Sequence, residues 1–133
     1  MNYAFDTNTV IHLMIGTESV RRRRNNARSM GAAFFIPPVV QYEMNRGLLI
    51  KPNPQNERAY TRLLENCMLV EMTAGVWMKA AEIYAGLYAK RFTVRDSDIL
   101  IAAFCIVNDC TLITNNTKDF VNMSGLGIDD WVT

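Results

Sequence analysis

The first fourteen residues, MNYAFDTNTVIHLM (residues 1–14), place four polar side chains between two apolar segments. Residues 2–6 predict a strand and residues 9–15 a short helix, with Asp6, Thr7, Asn8 and Thr9 at the joint. A strand followed directly by a helix is typical of a parallel α/β sheet, in which ligands bind beyond the carboxyl ends of the strands. Thr7 or Thr9 can cap the helix, so we expect Asp6 to point into such a crevice.

The rest of the chain repeats this alternation of short apolar strands and helices. Because the strands are too apolar to have a solvated face, they predict a parallel sheet covered by helices on both sides. The expected strands are residues 33–36, 67–71 and 111–114, and the expected helices are residues 18–30, 38–49, 55–66, 73–91 and 97–108.

Composition indicates one globular domain spanning residues 1–133. Half of the residues are apolar, a fifth are charged, and the net charge is +1, which excludes a disordered or fibrous chain. The longest apolar run, residues 99–107, is far shorter than the ~20 residues of a membrane helix. No signal peptide is visible, and the three cysteines show no CxxC spacing. We therefore expect reduced core cysteines in a cytoplasmic protein.

Four acidic residues are candidates for a functional site, although each also has an ordinary structural explanation. Asp6 ends the first strand or caps a helix, and Glu43 lies on or beside the apolar stripe of its helix. Asp98 lies in the first turn of a buried helix, where an acid also favours the helix dipole; Asp96 is the alternative there. Asp119 follows the last short strand and is otherwise a turn residue.

Taken together, the four acids predict a divalent-metal site. Crowded carboxylates repel one another unless a cation lies among them, and hard oxygen ligands without clustered His or Cys select Mg²⁺ or Mn²⁺. Such a site suits metal-activated water attacking a phosphodiester. The arginine run Arg21, Arg22, Arg23 and Arg24 is a candidate for RNA phosphate contacts, while a solvated helix face is the simpler explanation for any single arginine.

Four motifs resemble those of the PIN-domain ribonucleases, with VapC-type toxins as the nearest match. They are FDTNTVIHLM at residues 5–14, the glutamate of VVQYEMNRG at Glu43, DILIAA at residues 98–103 and TNNTKDF at residues 114–120. The resemblance implies a three-layer α/β/α sandwich, a Mg²⁺ or Mn²⁺ cofactor, and endoribonuclease cleavage of structured RNA such as tRNA or rRNA. It also implies inhibition by a small VapB-like antitoxin whose C-terminal segment covers the site.

By motif, the resemblance assigns catalytic roles to Asp6, Glu43, Asp98 and Asp119, with Asp6 and Asp98 as metal ligands. The polar residues Thr7, Asn8, Thr114 and Asn116 are expected to orient carboxylates and waters. We expect a homodimer that can form part of a larger toxin–antitoxin assembly. The aromatic residues Trp77, Tyr84 and Tyr88 are expected to pack in the core, with a dimer face as the alternative.

Two other functions are compatible with the same residues. A degenerate PIN fold would serve only as a protein-binding module. A receiver-like signalling domain also has an Asp at a strand end beside Mg²⁺, but it needs an acid pair at the first strand and a phospho-acceptor Asp after the third. Residues 67–71 are followed by Met72 and Thr73 instead.

Overall fold

Four parallel strands form the centre of the protein in a computed structural model that describes all 133 residues. Their order across the sheet is β2-β1-β3-β4. Strand β1 lies between β2 and β3, pairing Tyr3 with Phe34 on one side and with Thr111 on the other. The strands are β1 (Asn2–Phe5), β2 (Ala33–Phe35), β3 (Thr111–Ile113) and β4 (Ile128–Asp129).

Six helices flank the sheet, which confirms the predicted α/β/α architecture. Pro38 starts α3 and Pro54 starts α4, positions at which the missing proline N–H costs no helical hydrogen bond. The helices are α1 (Thr7–Ile15), α2 (Glu18–Ser29), α3 (Pro38–Ile50), α4 (Pro54–Leu64), α5 (Ala74–Ala89) and α6 (Asp96–Val107). No helix is both long and apolar enough to span a membrane.

One buried cluster holds the sheet and helices together. Phe5, Leu112 and Ile113 from the central strands are almost completely buried, and seven residues of α6 are buried as well. Helix α6 therefore lies against the sheet with nearly all of its surface covered. Its first turn carries Asp98, and the charge of Glu43 acts on both Asp98 and Asp6, so the start of α6 and the end of β1 lie near the same glutamate.

One predicted strand is absent from the sheet, and one strand of the sheet was not predicted. Residues 67–71 form no strand, because only Met68 reaches the sheet, through hydrogen bonds with the backbone of Phe34 and Ile36. The two-residue strand β4 was not predicted. It pairs with Leu112 and Ile113 of β3. Arg23 anchors the segment that follows β4 by donating to the Asp130 carbonyl over 2.8 Å.

The prediction that the aromatic residues of α5 pack in the core was also wrong. Trp77, Tyr84 and Tyr88 are exposed, whereas Val76, Ala80 and Leu87 of the same helix are buried. The rings of Tyr84 and Tyr88 stack with centroids 6.2 Å apart. Helix α5 therefore presents an aromatic surface to solvent.

Candidate active site

Asp6 both caps α1 and contributes a carboxylate to the edge of the sheet. Its backbone is extended, and its Oδ1 accepts a hydrogen bond from the Thr9 N–H over 2.8 Å. The Thr9 hydroxyl donates to the Ile113 carbonyl over 2.8 Å, which ties α1 to β3. The expectation that a threonine caps this helix was wrong. Capping uses one carboxylate oxygen of Asp6 and leaves Oδ2 available to other partners.

Glu43 reaches the same edge from α3. The Thr7 hydroxyl in the first turn of α1 donates to Glu43 Oε1 over 2.6 Å. Arg46, one turn further along α3, lies 3.9 Å from Glu43 Oε2. Glu43 is half-buried, so its charge is held by a threonine hydroxyl on one side and by a guanidinium group on the other.

Asp98 lies in the first turn of α6 and is 7% exposed, whereas Asp96 two residues earlier is exposed. The Arg95 guanidinium pairs with the Asp98 carboxylate, with Nη2 at 3.3 Å from Oδ2. The Arg95 side chain is itself 72% exposed. Of the two acids at this helix start, only Asp98 is therefore held inside the fold.

The remaining residues predicted for the site follow β3 or begin α1. Thr114 is fully buried at the end of β3, and its hydroxyl accepts a hydrogen bond from the Asn116 N–H over 3.0 Å. Asp119 is half-buried in a short 3-10 turn and shares a cleft of about 280 Å³ with Asp98 and Arg95. Asn8 is exposed, and its side chain makes no hydrogen bond within the chain.

The electrostatics of the carboxylates link them into one group. Burial raises the pKa of Asp6, hydrogen bonding to Thr114 and Thr9 opposes this, and the charge of Glu43 raises it further. Burial likewise raises the pKa of Asp98; Arg95 opposes this, and the charges of Asp119 and Glu43 add to it. The pKa of each buried acid is therefore raised in part by the charge of at least one other carboxylate.

The donor chemistry of this group fits a hard divalent cation, because every candidate ligand is a carboxylate or hydroxyl oxygen. His12 is not among them, since its Nδ1 pairs with the Thr17 hydroxyl at the other end of α1. No three acidic, His or Cys side chains are close enough together to enclose an ion. Arg95 and Arg46 instead partly neutralise Asp98 and Glu43.

The four consecutive arginines of α2 have different surroundings. Arg22 is exposed, and Arg23 pairs with Asp129 at 3.6 Å in addition to its bond to Asp130. Arg21 and Arg24 line a pocket together with Arg28 and Arg62. The sequence indicated a basic helix, but Arg62 lies on α4 and no pattern in the sequence connects it to the arginines of α2.

Comparison with known proteins places these features in a family. The model of the PIN domain matches residues 3–126 of the chain. The chain is 24% identical to Ribonuclease VapC2 from Rickettsia felis over 132 residues, covering 98% of each protein. The match therefore includes all four candidate carboxylates.

Solved structures with the same fold come from toxin–antitoxin complexes. VapBC2 from Rickettsia felis, bound to a DNA fragment from its promoter, superposes with a TM-score of 0.91 at 23% identity, covering 98% of this chain and 99% of that one. VapBC-1 from nontypeable Haemophilus influenzae superposes with a TM-score of 0.88 at 22% identity over the full length of both chains. At this identity the similarity shows a common fold.

Proposed function

This chain belongs to the PIN-domain family, and from that premise we propose that it is a divalent-metal-dependent endoribonuclease that acts as a toxin. The observation that carries the proposal is the pair of buried carboxylates, Asp6 and Asp98, at the carboxyl edge of the parallel sheet. Burying two acids disfavours their charged forms and costs stability, and proteins keep such a cost where the site has a use. Binding a cation there is such a use.

In this proposal Asp6 and Asp98 hold Mg²⁺ or Mn²⁺, and Glu43 and Asp119 complete the catalytic group. The cation, when bound, would supply positive charge for the phosphodiester and lower the pKa of water. Glu43 is positioned by Thr7 to accept a proton from an attacking water. Asp119 lines the same cleft as Asp98, which suits it to orient that water.

Four polar neighbours are proposed to orient these carboxylates and the waters around them. Thr7 holds Glu43, and Thr114 lies beside Asp6 while its hydroxyl accepts from the Asn116 N–H. Asn8 is exposed at the rim, where its amide is free to contact substrate or water. Groups of this kind matter because a carboxylate that rotates away from the cation loses affinity and activity.

We propose structured RNA, such as tRNA or rRNA, as the substrate and the cytoplasm as the place of action. The Arg21–Arg24 run offers positive charge for phosphates. The proposed inhibitor is a small VapB-like antitoxin, in line with the VapBC complexes of the structural relatives. A basic residue on its tail could pair with Asp98 or Glu43 as Arg95 and Arg46 do within this chain.

The primary test is RNA cleavage by the purified chain with Mn²⁺ present. We expect the parent to cut tRNA or rRNA and Asp6→Asn to be at least about 100-fold slower, because one proposed ligand is lost. Asparagine is as good a helix cap as aspartate, so the variant should remain folded. Expression of the parent should arrest growth unless the antitoxin is co-expressed. Complete inactivity of the parent on all RNAs would contradict the proposal.

We also propose a homodimer formed through α5, with larger assemblies built on it by the antitoxin. The exposed aromatic residues Trp77, Tyr84 and Tyr88 provide an apolar surface of the kind enriched at interfaces. Tyr88→Glu should convert the protein to a monomer in sedimentation experiments, because it places a charge on that surface. Tyr42→Glu, on another exposed tyrosine that lies on α3, is the control and should remain dimeric. A parent that sediments as a monomer would contradict this part of the proposal.

Of the two alternative functions, one conflicts with the family of this chain and the other remains a candidate. The receiver-like alternative conflicts with membership of the PIN-domain family. A PIN fold that only binds other proteins remains the second candidate, and the pairing of Asp98 with Arg95 is the observation that favours it. Under that alternative the chain would bind its partner with the carboxylates and cleave no RNA.

A further inference from the structure

A second polar site lies at the opposite end of α1 from the carboxylates. It is a pocket of about 430 Å³ between the last turn of α1, one side of α2 and α4. Four arginines line it, together with the apolar side chains of Leu13, Met14, Ile15 and Leu63; the arginines are Arg21, Arg24, Arg28 and Arg62. The spacing of three and four residues explains why the α2 members share one side of that helix.

These arginines, which we call the arginine pocket, lack anionic partners within the protein. None of the four forms a salt bridge, although Arg23, Arg46 and Arg95 do. No acidic residue lines the pocket. Four like charges that converge without a counter-charge repel one another, so the pocket is arranged to receive an anion.

Arg24 supplies an independent observation that points to a ligand. Its Nε is buried and makes no hydrogen bond within the chain. Burial and the neighbouring Arg28 and Arg21 charges lower the pKa of Arg24 from its usual value. A buried guanidinium donor without an acceptor costs free energy, and an anion in the pocket that Arg24 lines would offset the repulsion from Arg28 and Arg21.

The arginine pocket and the carboxylates lie on a common path. Helix α1 begins beside Asp6 and ends at the pocket, and nine residues at 1.5 Å each give about 14 Å. Asn8, Ile11 and Ile15 are exposed three and four residues apart, so one open side of α1 connects the two sites. At roughly 3.4 Å per nucleotide, a stacked strand covers this distance in about four nucleotides.

We propose that the arginine pocket binds phosphate groups of the RNA strand about four nucleotides away from the bond that is cut. The inference rests on the proposed ribonuclease function and adds a substrate-binding site to it. RNA fits better than an acidic peptide because it carries one negative charge per nucleotide along the whole path from the carboxylates. Guanidinium groups also match phosphate oxygens with paired hydrogen bonds.

The test compares two pairs of substitutions that each remove two arginines. Arg24→Gln with Arg62→Gln changes the pocket, and Arg58→Gln with Arg91→Gln changes exposed arginines that lie outside both the pocket and the Arg21–Arg24 run. Both pairs are made in Asp6→Asn protein, so that RNA binding is measured without cleavage. The readout is the affinity for a labelled single-stranded RNA over a range of salt concentrations.

The pocket pair should bind RNA roughly tenfold more weakly at low salt. Its negative slope of log affinity against log salt should become shallower by about 1.4, or about 0.7 for each lost phosphate contact. The control pair should change both quantities much less. Equal effects of the two pairs, or none from either, would overturn the proposal. So would a pocket pair that binds RNA normally but loses affinity for polyglutamate, because the pocket would then bind acidic protein segments.

Two further measurements keep the test decisive. If Arg24→Gln lowers the melting temperature, Arg21→Gln with Arg62→Gln replaces the pocket pair, since Arg21 is exposed and lines the same pocket. RNA cleavage by the otherwise unaltered chain is assayed separately. Cleavage without any effect of the pocket pair overturns only the arginine pocket, whereas a chain that cleaves no RNA overturns the ribonuclease function itself.

Discussion

Replacing Asp98 with asparagine is expected to reduce RNA cleavage at least about 100-fold, while the same change at Asp96 leaves most of the activity. The two residues lie in the same helical turn and carry the same group, so they form a matched pair. Asp98 is buried and shares a cleft with Asp119, whereas Asp96 is exposed. Cleavage kinetics of the two variants would measure the difference. The reverse pattern would show that the site uses Asp96.

The Asp98→Asn variant should be at least as stable as the parent when no divalent cation is present. Because burial raises the pKa of Asp98 above its usual value of 3.8, the folded protein favours the neutral carboxyl more than the unfolded chain does. The unfolded chain releases this proton at lower pH, so the free energy of unfolding falls as pH rises through the interval above 3.8. The amide introduced by Asp98→Asn cannot titrate, so the variant should show a weaker pH dependence. The lost bond to the exposed Arg95 subtracts little.

Asp6→Asn provides a second test of the stability argument at a different element. Asparagine retains an oxygen that can accept from the Thr9 N–H, so the cap of α1 is preserved. Thermal melting in EDTA should therefore show no loss for Asp6→Asn or Asp98→Asn. A clear loss in both would mean that these acids serve the fold alone.

The first βα unit could be predicted from sequence because its signals are local. A short apolar strand, a polar joint and a helix lie within fifteen residues. The structure differs in that β1 ends at Phe5 rather than at residue 6, and in that α1 begins at Thr7 rather than at residue 9, with Asp6 as its cap. Asp6 caps the helix, which lets it start earlier. The parallel sheet followed from the same reasoning, since each strand lacks a polar face.

The edges of the sheet could not be predicted from the same signals. Residues 67–71 have strand-like composition, yet only Met68 contacts a strand, at the outer side of β2. The two residues of β4 are too few to produce any periodicity. Whether a segment pairs at an edge depends on where the chain returns to the sheet, and composition does not encode that path.

Surface patterns were ambiguous for a different reason. On α5 the buried Val76, Ala80 and Leu87 and the exposed Trp77, Tyr84 and Tyr88 both recur at helical spacing. Periodicity alone cannot tell which of two apolar sides of a helix is buried, and here the buried side packs on α6. The arginine run of α2 has the same ambiguity, because only the position of α4 determines which arginines meet Arg62.

We expect RNA cleavage by this chain to depend on a divalent cation. RNA cleavage should appear with Mn²⁺ or Mg²⁺ and vanish on chelation, because without the cation nothing neutralises the charge that develops on the phosphodiester. Arg95 and Arg46 hold two of the carboxylates in the free protein, and no three potential ligands enclose an ion. Binding therefore requires the exposed Arg95 side chain to move away from Asp98.

A cation that binds only the folded protein must also stabilise it. At a concentration 100-fold above its dissociation constant, Mn²⁺ should add about 2.7 kcal/mol to the free energy of unfolding. For a chain of this length that raises the melting temperature by roughly 10 °C. The increase should disappear in Asp98→Asn and persist in Asp96→Asn, which thermal melting with and without EDTA would measure. Full cleavage by metal-free protein, or an equal shift in both variants, would contradict the metal site. A shift in the parent without cleavage of any RNA would instead favour the protein-binding alternative.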